Sequence, residues 1–189
     1  MVLGALILFS FSGISQAQSV DAFFGLNALT ASQPAGVPSL GGGAFMSVGG
    51  DVFMTRTLGF YGQASWRAKQ ADYAGNPVRP LFYDFGAAWQ PFHFSSKVMP
   101  FFRAGLGVES IRVYQPFYSC GSFTGCSNYV TANHFMGHFG VGVKFYLTQH
   151  IFVMPDANLY LIRHNVEYQT SSAHMYGIAI GYTLGSQSD

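Results

Sequence analysis

Charge is what this sequence has least of. Eight acidic and nine basic residues among 189 make up 9% of the chain, where an ordinary soluble domain carries about 25%. So few charges cannot dress a water-facing surface of normal polarity. They are also scattered, so no basic stripe marks a nucleic-acid partner. Cofactor signatures are missing as well: no phosphate-cradling glycine loop opens onto a helix, and no spaced set of cysteines is present. Beyond the N-terminus, no apolar run reaches the roughly 18 residues of a membrane helix. An oily, charge-poor chain without such helices leaves the closed β-barrel as its way through a membrane, because lipid cannot satisfy a free sheet edge.

The residues present are 49% hydrophobic and 17% aromatic. The chain starts "MVLGALILFSFSGISQAQ", an apolar core from Val2 to about Phe11 followed by small and polar residues, with Ser15 and Ala17 placed before a cut between Ala17 and Gln18. This is the second half of a secretory signal. The usual positive n-region is absent, since no Lys or Arg precedes Arg56. Residues 1–17 are therefore expected to be a signal peptide and 18–189 one domain. Cys120 and Cys126 sit in the Gly- and Ser-rich stretch "YSCGSFTGCSNY". In an exported chain an even, closely spaced pair reads as a disulfide pinning a loop. A metal pair is the alternative, but no further Cys or His lies at ligand spacing.

Alternating segments recur in rough spans at 21–31, 43–54, 58–69, 81–92, 100–113, 132–147, 151–163 and 173–184. Each is long enough for a tilted membrane strand of about 9–11 residues. The links "TRTL", "HFSSKV" and "LTQH" are short, whereas "SQPAGVPSLGG", "QADYAGNPVRP", "YQPFYSCGSFTGCSNYVTA" and the stretch around "HNVEYQTSS" are long. Short periplasmic turns alternating with long outer loops predict an all-β, eight-stranded antiparallel up-and-down transmembrane β-barrel with both termini in the periplasm.

In "HFMGHFGVGVKFYL", Phe135, Gly137, Phe139, Val141, Val143, Phe145 and Leu147 share one face of a strand, and His134, Met136, His138, Gly140, Gly142, Lys144 and Tyr146 share the other. The bulky apolar face suits lipid, and the face rich in glycine and polar groups suits a narrow lumen. On the lipid face, Phe60 and Trp66, Tyr83 and Trp89, and Tyr176 and Tyr182 are each six apart. At about 3.3 Å per residue and a steep tilt, that spacing fits two aromatic girdles around an apolar band of roughly 25 Å.

The mature chain resembles the small eight-stranded outer-membrane β-barrel family, the group of the OmpA transmembrane domain and OmpX. "MYGIAIGY" is similar to that family's C-terminal assembly signal, with Gly177, Ile180 and Tyr182 on the matching positions, although "TLGSQSD" follows where the family ends on the aromatic. The resemblance implies residence in the outer membrane of a Gram-negative cell, contact with its lipid and lipopolysaccharide, insertion by the barrel assembly machinery, and a monomer without cofactor.

An eight-stranded barrel is only wide enough to be filled by side chains. Lumen charges must then pair, and two networks are expected: Asp51, Arg103, Lys144 and Asp156 near the periplasmic end, and Arg67, Asp84 and Glu109 near the outer end. His134, His164 and His174 fall near the outer ends of neighbouring strands and raise a metal or pH-sensing reading against that of hydrogen-bonded rim groups; His138 lies deeper in the lumen. The longest loop offers Phe117, Tyr118, Phe123 and Tyr129 as a contact surface for an extracellular partner. The expected function is thus a structural or interaction barrel without an open pore. Two alternatives stand beside it. A lipid A deacylase-like enzyme would draw on Ser171, Ser172, His174 and Glu167, and a soluble lipocalin-like carrier would turn the bulky faces inward.

Overall fold

A computed structural model describes residues 19–31, 40–73, 75–91, 97–121, 125–163 and 170–185. The alternating segments form nine strands: β1 (Ser19–Ala31), β2 (Gly43–Phe53), β3 (Leu58–Arg67), β4 (Ala71–Tyr73), β5 (Asn76–Trp89), β6 (Val98–Gly121), β7 (Gly125–Tyr146), β8 (Ile151–Ile162) and β9 (Ser172–Leu184). Every pairing is antiparallel, and β1 pairs with both β2 and β9. The β3–β5 ladder, from Leu58 opposite Trp89 to Trp66 opposite Leu81, joins the remaining edges. Eight strands therefore close into an up-and-down barrel in which no edge is left for lipid to meet.

The ninth strand is the first departure from expectation. β4 pairs only with the start of β5, around Gly75 at φ +81°, a left-handed conformation that glycine adopts without a Cβ clash. What reads as a Pro- and Gly-rich loop is a short hairpin above the barrel. β6 and β7 depart further. Their ladder continues to Cys120 opposite Cys126 and Gly121 opposite Gly125, with an irregularity between Tyr114 and Ser119. The third outer connection is thus largely a β-ribbon and not an irregular loop.

Both short turns within the described residues, between β2 and β3 and between β7 and β8, are tied locally. Thr55 Oγ1 accepts from the Leu58 amide at 2.9 Å, and Thr148 Oγ1 accepts from the Ile151 amide at 3.0 Å. Threonine closes such turns by replacing a backbone acceptor.

The two faces divide as the alternation predicts. Phe60 (62% exposed), Phe85 (68%), Phe139 (53%) and Ile178 (54%) stand outward in a continuous apolar wall, far beyond the patch that a soluble monomer exposes. Asp51, Arg103, His138 and Lys144 are buried inside. This overturns the lipocalin-like alternative, because the charged faces converge inward and the oily ones outward.

Candidate functional site

The lumen is filled in three layers. At the end that carries the short turns, Lys144 Nζ lies 2.5 Å from Asp21 Oδ2 and 2.9 Å from Asp51 Oδ2. Arg103 donates to Asp51 in a fork, Nε to Oδ1 at 3.1 Å and Nη2 to Oδ2 at 2.8 Å. Two cations and two carboxylates form a buried quartet whose charges cancel, the condition for holding charge away from water. Thr183 Oγ1 donates to the second oxygen of Asp21 at 2.6 Å. Aromatic faces line the cations: Arg103 lies 4.6 Å from the ring centroids of both Phe23 and Phe101, and Lys144 lies 5.0 Å from Phe53.

Glycine makes room for those rings. A Cβ on Gly49 would meet Phe23 Cζ at 2.5 Å and one on Gly142 Phe101 Cζ at 2.5 Å, and a Cβ on Gly181 would run into Phe152, whose ring lies 5.4 Å from Lys144 Nζ. The small residues of the lumen wall thus serve the aromatic rings beneath the cations.

The middle layer is polar and centres on His138. His138 Nδ1 lies 2.9 Å from Asp84 Oδ1 and 2.6 Å from the Tyr61 hydroxyl, while Nε2 faces Asn158 Oδ1 at 2.9 Å. Asn158 Nδ2 in turn donates to Asp156 Oδ2 at 2.5 Å. The His138 ring stacks on Tyr160 at 4.8 Å and 17°.

The outer layer is apolar. Leu29, Leu40, Phe45, Val78, Phe82, Ile111, Met136, Ile162 and Met175 pack into one buried cluster with Tyr160 beneath it. The expectation of a lumen face rich in glycine and polar groups holds only for the half that carries the short turns. Large side chains on the inward positions of β2, β5, β7 and β9 close the outer half.

The expected networks are placed as follows. Asp51, Arg103 and Lys144 come together, with Asp21 as a fourth member that sequence reasoning missed. The signal was present, since Asp21 shares the alternation of Phe23, Gly25, Asn27 and Leu29, which all turn inward. Asp156 bonds to Asn158 and belongs to the middle layer. Asp84 meets His138 and not Arg67, whose guanidinium donates to the Leu40 carbonyl at 3.4 Å. Glu109 is fully buried, opposite His134 in the β6–β7 register.

His134 and His174 do not converge. His134 follows the lumen face of β7, whereas His174 is exposed on the outer face of β9 beside Tyr176; His164 lies outside the described residues. Among the described residues, no group of three or more His, Cys, Asp or Glu is placed to hold a metal. In the enzyme alternative, no hydrogen bond joins Ser171 or Ser172 to His174 among the described residues, and Glu167 lies outside them. In the ribbon, Tyr129 is exposed and its ring lies 6.1 Å from that of Tyr114. The backbone places Phe117 and Tyr118 on β6; their side chains and Phe123 lie outside the described part. Cys120 and Cys126 are directly opposed.

A closed eight-stranded barrel with an apolar outer belt and a charge-paired interior has the fold of the small outer-membrane β-barrels. Neisserial surface protein A shares it with a TM-score of 0.59 at 14% identity, over 88% of this chain and 95% of that one. The N-terminal barrel domain of Pseudomonas aeruginosa OprF (0.54, 14% identity, 89% and 98%) and OprG from the same organism (0.54, 11% identity, 90% and 98%) are similar over equal lengths. No family model and no curated protein matches the sequence.

Proposed function

We propose that this chain is an integral outer-membrane barrel of structural and interaction type, a rigid frame that presents outer loops and one long ribbon without conducting solutes or catalysing a reaction. The observation that carries the reading is the lumen. An ionic quartet, a hydrogen-bonded middle layer and an apolar outer cluster occupy it in succession, and opening a path would separate buried charges at a cost of several kcal/mol. Protruding segments on a rigid frame are where binding concentrates, and the β6–β7 ribbon is the largest such segment among the described residues. Tyr114, Tyr129 and Val130 form its described aromatic and apolar surface, with Phe117, Tyr118 and Phe123 alongside in sequence. Its partner is a component outside the cell, and insertion proceeds through the barrel assembly machinery with residues 1–17 as the export signal.

Two measurements test this reading. The purified barrel in a planar bilayer is expected to give no stepwise conductance; reproducible single-channel steps would contradict the plugged frame. Replacing residues 114–129 by a short turn is expected to leave a heat-modifiable barrel in the outer membrane while abolishing adhesion of expressing cells to surfaces that the full chain binds. Undiminished adhesion would remove the ribbon from the account.

A further inference from the structure

Above the apolar belt, on the outward face of the barrel, two arginines stand side by side. β5 and β6 pair Arg79 directly with Arg112. The alternation turns both away from the lumen, since Val78 and Pro80 on β5 and Ile111 on β6 are buried, while Tyr83 and Val108, lower on the same outer face, are exposed. Like charges opposed across an antiparallel pair repel, and among the described residues no carboxylate lies within ion-pair distance of either guanidinium.

The surroundings hold the charges in place without neutralising them. Arg112 lies over the Tyr129 ring at 5.3 Å, and Arg79 Nε is shielded from solvent without a hydrogen-bond partner. Thr131 is opposed to Arg112 across the β6–β7 ladder, and Ser110, two residues before Arg112, shares its outer face of β6 by alternation with the buried Glu109 and Ile111. Two guanidiniums and two hydroxyls thus face outward together, a donor set suited to a phosphate.

Height decides what kind of phosphate. Tyr83, the outer aromatic of β5, lies four residues below Arg79, about 13 Å along the strand and about 10 Å vertically at a tilt near 40°. That is headgroup level, while Tyr83, Phe85, Leu106 and Val108 beneath form an exposed wall for acyl chains. We propose that Arg79 and Arg112 form a binding site for the phosphate of an anionic outer-leaflet lipid whose acyl chains lie on that wall. The inference rests on the barrel's orientation in the membrane and not on what the ribbon binds, so either can fail alone.

The test measures lipid retained by the folded, purified barrel by native mass spectrometry. Lipid A, dephosphorylated lipid A and inorganic phosphate serve as separate probes. The double variant Arg79→Gln with Arg112→Gln is expected to bind lipid A about tenfold or more weakly, each single variant to lose less, and the corresponding double Lys variant to keep part of the affinity. Arg163→Gln, an exposed change outside the patch, is expected to bind as the wild type does. Each variant is first checked for the heat-dependent gel shift of a folded barrel, and the single variants carry the test where the double does not fold. Dephosphorylated lipid A is expected to bind the wild type weakly, and inorganic phosphate not to displace lipid A. Undiminished retention by the folded Gln variants would overturn the site. Displacement by inorganic phosphate alone would overturn its assignment to a lipid.

Discussion

Asp51 holds the lumen's charges together, because both Arg103 and Lys144 spend hydrogen bonds on its two oxygens. Asp51→Ala leaves Lys144 with Asp21 alone and takes from Arg103 its paired carboxylate, and breaking such an arrangement from one side costs about 3–5 kcal/mol. The urea midpoint of the barrel in lipid vesicles is expected to fall accordingly, and adding Arg103→Met, which restores charge balance, is expected to recover part of the loss. A single variant that unfolds at the wild-type midpoint would show that the quartet contributes nothing. The inward placement of Asp51, Arg103 and Lys144 was legible, because a strand's two-residue period assigns each side chain a face. Which inward charges meet was not. That depends on how neighbouring strands are staggered: Lys144 on β7 reaches Asp21 on β1 across the lumen, and Asp84 faces His138 while Arg67 turns to a backbone carbonyl.

Among the elements, the β6–β7 ribbon is where sequence and structure part most. Gln115, Pro116, Ser119, Gly121 and Gly125 carry the composition of a loop, yet the backbone pairs well past the barrel rim. Pairing propagates there from an already formed ladder, and composition alone does not record that help. The same register sets Cys120 opposite Cys126, the separation at which an antiparallel pair admits a disulfide. We expect the exported protein to bind no thiol reagent until it is reduced, and the bond to contribute about 2 kcal/mol to the ribbon's local stability. Two thiols alkylated without reductant would contradict this. β4 teaches a smaller lesson: "DYAGN" reads as a turn, and Gly75 does turn there, but the flanking residues pair far enough to start β5 five residues before the span inferred from alternation.

At the scale of the whole molecule, the number of barrel strands, chain order and the choice of lipid-facing wall were all legible, since each follows from periodicity and from the shortage of charge. The apolar outer layer of the lumen was not anticipated. Phe45, Phe82, Met136 and Met175 lie on inward positions, and only closure of the ring reveals that they meet around Leu29 and Leu40. The result is a barrel that is oily outside along its belt and inside at its outer end, with its buried charges confined to the lower and middle lumen apart from Glu109. The most direct test of that inside-out arrangement is a single-cysteine scan of residues 134–146, in a background where Cys120 and Cys126 are serine, with each position fluorescently labelled in vesicles of brominated lipid. Strong quenching is expected at Phe135, Phe139, Val141 and Phe145 and weak quenching at Met136, His138, Gly140 and Lys144. Quenching in the opposite phase, or without a two-residue period, would contradict the account.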